Sequence, residues 1–475
     1  MTTLDNVNWL EEVTNRKEAL FEDLFRLLRI RSVREDHLAT AEAPVGPGPK
    51  EALEEFLKMA QEDGFETKQF GPLVGRVELG QGDTTLGILG HMDVVPEGSG
   101  WDTDPYEPVV KDGRIYARGS SDDKGPTVAA YFALKLLREL GAEFNQKIHV
   151  IVGSDEESGW MCMDHYAEVE EMPDYGFSPD AQFPIINGEK GNVSAHLTIP
   201  VGESANGLNQ LAQFEAGLRP NMVPEAAIAV VKAEHPEEMM EDFGQYLADK
   251  PVTGKVTHES DCLNFEVNGK SAHGSTPEKG HNAGTYLAEF LKQYDFKSKA
   301  ENDFLDLVGN TLHDDFEGVK LGVNIEDEIM GALSMNVGII KFNLTDGGFV
   351  DANFRYPKGT DEEIIQKAIE QALANAHSSA KVVMSDGKGP HYVSPEDPMV
   401  KVMLEVYSKQ TGLESYEKTI GGGTYGRLMD RGVSFGALFP DSIDVMHQAN
   451  EFLAIDDLLR ATAIYAEVIY RLACQ

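Results

Sequence analysis

Cysteine, basic side chains and long apolar runs are all scarce in this sequence. The three cysteines, Cys162, Cys262 and Cys474, are odd in number, lie far apart and include no CxxC pair. A disulfide framework and a thiolate metal or redox site are therefore excluded, and buried thiols in a reducing compartment fit best. No apolar run approaches the ~18 residues needed to cross a bilayer, and residues 1–12 lack a basic start followed by an apolar stretch. A cytoplasmic location is expected. Lysine and arginine number 41 against 80 acidic residues, a formal charge of −39 that repels nucleic-acid phosphates and anionic membranes. Neither is expected as a partner. Most of these carboxylates read as a solvated surface, because only a handful sit in motifs. Gly/Ser or Pro-rich linkers, low-complexity tracts and short-period repeats are missing too, so composition marks no domain boundary.

What is present is length and periodicity. The 475 residues, 41% of them hydrophobic, exceed the roughly 250–300 over which one core keeps growing, so at least two folding units are expected. Apolar residues at helical spacing cover 9–28, 52–59 and 124–140, alternating with short apolar runs at 85–89, 148–152 and 175–177. This is the pattern of an α/β unit with a mostly parallel sheet flanked by helices. The style returns near the C-terminus, with a helix at 399–409, a strand at 434–439 and a helix at 456–472. Between them, strand candidates at 195–199, 263–267 and 335–344 belong to a different unit. We read residues 1–188 and 388–475 as one discontinuous domain and 189–387 as an inserted α+β domain.

Five segments carry chemistry. In Gly90-His91-Met92-Asp93, side chains at i and i+2 share a face of extended chain, so Asp93 can hold the His91 ring while its other nitrogen meets a metal. A lone HxD is more often a surface loop. Ser121-Asp122-Asp123-Lys124 places two acids directly before an apolar helix. They could cap that helix, or one could bridge two cations. Gly153-Ser154-Asp155-Glu156-Glu157 follows a strand, where adjacent side chains diverge: one glutamate can ligate a metal while its neighbour faces the water bound there. Two crowded glutamates repel, and cations relieve this. The bland alternative is a solvated acidic turn. Asp180 and His447 are weak signals taken singly.

Taken together, these segments resemble the M20 family of co-catalytic metallopeptidases over essentially the whole chain. The similarity is greatest to its PepV-type, carnosinase-like (Xaa-His) dipeptidases. The resemblance implies that Asp122 bridges two metal ions, that His91 and Asp180 complete one site, and that Glu157 and His447 complete the other. Glu156 becomes the general base and Asp93 a catalytic support of His91. Zn²⁺ suits an all-N/O ligand set, which also admits Mn²⁺ or Co²⁺. A cis peptide is expected after Asp122. Ser271-Ala272-His273-Gly274 matches a lid segment whose histidine contacts the oxyanion, and Asn221 and Arg355 match lid residues that bind substrate. The Gly421-Gly422-Gly423-Thr424-Tyr425 loop can offer N–H groups to a carboxylate, which marks Gly422, Gly423 and Thr424 as further substrate contacts. The long insertion resembles a doubled lid that supplies the histidine from the same chain, which implies an active monomer.

The implied reaction is hydrolysis of dipeptides with a free N-terminus, by a water bridged between two metal ions and activated by Glu156. An N-acyl amino acid deacylase or a carboxypeptidase would share this core. A metal- or ligand-binding scaffold without catalysis is the reading from another class, and the presence of Glu156 beside Glu157 argues against it.

Overall fold

The apolar run that ends at His91 forms the strand Thr85–His91, which lies inside a six-stranded sheet. This is a computed structural model, and it describes residues 4–475. The strand order is Glu66–Phe70, Val74–Leu79, Lys147–Gly153, Thr85–His91, Tyr175–Ser178 and Gly432–Ser434. The last three pairings are parallel, and the first two, at the Glu66–Phe70 edge, are antiparallel. Side chains alternate between two buried faces. Leu86, Ile88, Val150 and Val152 enter the larger core, whereas Leu89 and Ile151 pack on the other side with Tyr166 and Tyr425. Burial on both faces explains why these strands read as continuous apolar runs.

The chain divides into two units. The first comprises residues up to 188, 392–418 and 423–475, and the second 189–391 and 419–422. In the first unit, the helix Lys124–Glu139 is buried almost throughout and packs against the C-terminal helix Ile455–Ala473. The run expected as one helix over 9–28 is two, Trp9–Thr14 and Lys17–Leu28. The stretch 434–439 is likewise split. Gly432–Ser434 ends in the large sheet, and Ala437–Leu438 pairs with Ala181–Gln182. The break is at Gly436, with φ of 81°, where a Cβ would lie 2.3 Å from the Phe183 ring. Only glycine fits there.

The second unit is an eight-stranded sheet, every pairing of which is antiparallel. Its strands include Cys262–Asn268, Ser334–Asn343, Gly347–Tyr356 and Gly191–Ile199. Leu263, Phe265 and Val267 alternate into a core shared with the helices Ala283–Leu291 and Glu362–Asn375. The protein is thus an α/β unit, its sheet mostly parallel and flanked by helices, with an α+β unit inserted into it. Among the described residues, no helix is long and apolar enough to cross a membrane.

Candidate metal centre

Ligands of open α/β sheets gather at the carboxyl ends of the parallel strands, and the first unit follows that rule. His91 ends its strand, Glu156 and Glu157 follow Lys147–Gly153, and Asp180 follows Tyr175–Ser178. Asp122 joins them from the segment before the helix Lys124–Glu139.

Asp122 is the hub. Its Oδ1 lies 3.2 Å from His91 Nε2 and its Oδ2 2.9 Å from His447 Nε2. His91 Nε2 is also 3.5 Å from Asp180 Oδ2, and His447 Nε2 is 3.2 Å from Glu157 Oε1. The side chains therefore form two groups that share Asp122. Ligand-capable atoms of His91, Asp122 and Glu157 fall within 4.8 Å of one another, as do those of His91, Glu156 and Asp180. The Asp122–Asp123 peptide is cis, as the resemblance implied.

The fit to a cation is chemical as well as geometric. His91 is fully buried, and its Nδ1 lies 2.9 Å from the Asp93 carbonyl oxygen, which can only accept. Nδ1 therefore carries a proton, and in the neutral ring the lone pair lies on Nε2. That Nε2 and Glu157 Oε1 are buried atoms without a hydrogen-bond partner. Burial and the charge of Asp122 push the Glu157 carboxyl up to about 7, against the pull of His447. Burial likewise raises Glu156, against the pull of His91 and with Asp180, Glu157 and Asp122 adding to the rise. For Asp122 burial is overcome by His447 and His91, which hold its carboxyl below the ordinary range. The Asp122 carboxylate, which takes a hydrogen bond from the His447 ring, and then the Glu157 carboxylate beside it push His447 up to about 11. Several carboxylates drawing on two imidazoles make a field that divalent cations neutralise.

The surroundings refine the sequence reading. Asp93 holds the His91 ring chiefly through its backbone carbonyl, and its carboxylate oxygen is farther away, at 3.4 Å from Nδ1. The two carboxylate oxygens instead accept the N–H groups of Glu156 and Glu157, each at 3.0 Å. Asp123 precedes the helix but makes no side-chain cap. Its Oδ2 accepts from His91 N at 3.1 Å and from Thr127 Oγ1 at 2.6 Å. This explains Gly90, where a Cβ would meet Thr127 Oγ1 at 1.9 Å. Two contributors had gone unread. Arg34 binds Asp155 Oδ1 at 2.7 Å, and Glu451 lies buried against the Asp122 segment. The sequence signal for Glu451 was its place four residues after His447.

Asn221, His273 and Arg355 lie in the second unit. Gly274 N donates to Asn221 O at 2.7 Å, so the Asn221 and His273 segments run side by side. His273 Nδ1 accepts from Ser275 N at 3.2 Å and lies 2.7 Å from Ser275 Oγ. A neutral His273 ring therefore carries its proton on Nε2. Desolvation and the Arg355 charge lower its pKa, which favours that neutral form. Arg355 Nε donates to Asn353 Oδ1 at 3.0 Å. The glycine loop straddles the division: Gly422 belongs to the second unit, and Gly423 and Thr424 belong to the first. The Thr424 hydroxyl bonds Ser434 Oγ and accepts from Gly426 N.

Comparison with known proteins gives concordant findings. The model of peptidase family M20/M25/M40 matches residues 87–471. A protein of Staphylococcus saprophyticus, provisionally named a dipeptidase, is 43% identical over 472 residues, covering 98% of this chain and 100% of that protein. Among solved structures, the aminoacylhistidine dipeptidase of Vibrio alginolyticus superposes with a TM-score of 0.59 at 15% identity, over 96% of this chain and 97% of its own. Human carnosine dipeptidase 1 gives 0.56 at 18% identity, over 98% of each chain. At such identities these two structures speak for the fold.

Proposed function

Because the chain belongs to peptidase family M20/M25/M40, we propose that it hydrolyses the peptide bond of dipeptides with a free N-terminus, using two divalent cations and Glu156 as general base. The observation that carries this reading is Asp122, whose two oxygens address different histidines with a further carboxylate beside each. His91, Asp122 and Asp180 would hold one ion, and His447, Asp122 and Glu157 the other. The relatives provisionally named dipeptidases support the substrate class. Zn²⁺ suits the donor set, with Mn²⁺ or Co²⁺ as alternatives. When bound, the cations supply Lewis acidity, lowering the pKa of the attacking water and polarising the scissile carbonyl.

Glu156 takes the proton from the attacking water and delivers it to the leaving amine nitrogen. Its raised pKa suits a group that must both accept and return a proton near neutrality. Asp93 fixes the backbone of Glu156 and Glu157, so base and ligand keep their separation. We assign the second unit the role of lid: the His273 Nε2–H stabilises the developing oxyanion, and Asn221 and Arg355 hold the substrate. Backbone N–H groups of Gly422, Gly423 and Thr424 receive its carboxylate. The length of the inserted unit supports catalysis by one chain alone.

The test is a panel of dipeptides, tetrapeptides and N-acetyl amino acids given to metal-stripped protein, with Zn²⁺, Mn²⁺ or Co²⁺ restored, alongside Glu156→Ala. Metal-dependent dipeptide cleavage that the variant loses supports the reading. Preference for acetylated substrates points to a deacylase sharing this core. No turnover with any metal points to a binding scaffold.

A further inference from the structure

Glu451 is fully buried, yet its carboxylate meets four donors. Oε1 accepts the N–H of Ser121 at 2.8 Å and of Asp122 at 3.2 Å. Oε2 accepts Gly119 N at 3.2 Å and Arg118 Nη1 at 2.6 Å. Its backbone carbonyl accepts Ala117 N at 3.2 Å. The next residues, Phe452–Ala454, pair antiparallel with Arg114–Tyr116, which sets Glu451 against the segment leading to Asp122. Arg118, itself buried, donates through Nη2 to the carbonyls of Pro96 and Glu97, each at 3.3 Å.

One buried ion pair thus ties three segments: the loop after His91 and Asp93, the run ending at Asp122, and the run from His447. A carboxylate here also brings a further negative charge close to a cluster already crowded with them. Packing alone gives no reason for that charge, since replacing a buried ion pair with apolar side chains often leaves stability unchanged or higher. Holding two successive amides from one side, by contrast, fixes the orientation of the peptide that bears Asp122.

We propose that Glu451 is the positioning residue of the metal centre: it orients the Asp122 peptide so that both carboxylate oxygens face their histidines, and cation uptake depends on it although it touches neither ion. The inference rests on the reading of Asp122 as the shared ligand.

The experiment titrates Mn²⁺ into metal-stripped full-length protein, following free Mn²⁺ by electron paramagnetic resonance, for wild type, Glu451→Gln, Glu451→Asp and Arg118→Met. Circular dichroism and thermal unfolding of the metal-free proteins run alongside. Glu451→Gln should weaken Mn²⁺ binding about 10- to 100-fold, the scale at which residues that orient metal ligands act, and at both sites, because Asp122 is shared. Arg118→Met breaks the same ion pair but leaves the Ser121 and Asp122 amides on Glu451. It should lower the unfolding temperature comparably and change affinity less than about threefold, well short of the loss expected when a ligand's support is removed. Equal weakening in both variants would mark an ordinary structural pair and overturn the proposal, as would unchanged binding in Glu451→Gln. If Glu451→Gln does not fold, Glu451→Asp decides, since it keeps the charge and withdraws the oxygens by one methylene. Weaker binding supports the proposal, and wild-type binding overturns it. A wild-type protein that takes up no Mn²⁺ removes the metal-centre reading and this inference with it; failure confined to the variants leaves that reading standing.

Discussion

Each unit buries carboxylates on or beside a sheet, and the two satisfy them differently. In the second unit, Asp351 is 3% exposed and receives Ser194 Oγ–H at 2.9 Å, with His196 Nε2 at 3.1 Å. Ser194 accepts from Asn353 Nδ2 at 3.2 Å, and Asn353 in turn accepts from Arg355. Protein groups answer the charge. In the first unit, Asp122, Glu156, Glu157 and Asp180 converge on two histidines, and His91 Nε2 and Glu157 Oε1 stay buried without a hydrogen-bond partner. Buried polar atoms are nearly always satisfied, so these two atoms, set among several carboxylates, fit a site that can hold a cation. The contrast separates a polar network that supports a sheet from one whose donor atoms are arranged so that they could hold a cation.

The contrast breaks hardest at the base. Glu156→Gln should keep metal uptake and lower kcat by about 10²- to 10⁴-fold, the usual worth of a positioned general base. Steady-state kinetics and metal analysis of the same sample check it. Next comes the support of the base. Asp93→Ala leaves the Glu156 and Glu157 amides without their acceptor, and should cost about 10- to 100-fold in metal affinity and about 2–4 kcal/mol in stability. Chelator competition and urea unfolding read the two effects.

A change in the second unit sharpens the comparison from the other side. Asp351→Ala should destabilise by about 1–3 kcal/mol through its unpaired partners and leave metal affinity unchanged. A loss of affinity there would blur the distinction. Added Zn²⁺ at about 1,000 times its Kd should stabilise wild type by about 4 kcal/mol for each site filled, an effect missing in Asp122→Asn. The smallest effect concerns His149, on the strand Lys147–Gly153, where burial first and then Arg76 lower its pKa from 6.5 to about 4. As pH falls, the unfolded chain takes this proton before the folded one does, so stability is lost across that window. His149→Phe should flatten the loss, which urea titrations at pH 7 and pH 5 would show.

Much of this was legible in the sequence for a physical reason. Strand-end motifs read well because a short apolar run fixes where the chain leaves the sheet, and His91, Glu156, Glu157 and Asp180 all follow such runs. The break at Gly436 did not read, because it depends on packing against Phe183, distant in the chain. Asp93 does more than its spacing from His91 showed: its carboxylate also serves amides 63 and 64 residues away, a long-range choice that no local spacing encodes. Asp123 could equally have been a helix cap, and only the neighbouring strand shows that it binds His91 N. Glu451 offered only its place four residues after His447, and its role did not read because its partners lie about 330 residues earlier.

The central claim is that this centre needs cations and Glu156 together. Dipeptide hydrolysis should therefore be measured on metal-stripped wild type and Glu156→Gln while Zn²⁺ or Mn²⁺ is added stepwise. The account predicts no activity without metal, recovery in wild type that levels off near two equivalents per chain, and at most about 1% of that recovery in the variant despite equal metal uptake. Full activity in the metal-stripped protein, or recovery beyond that level in Glu156→Gln, would contradict it.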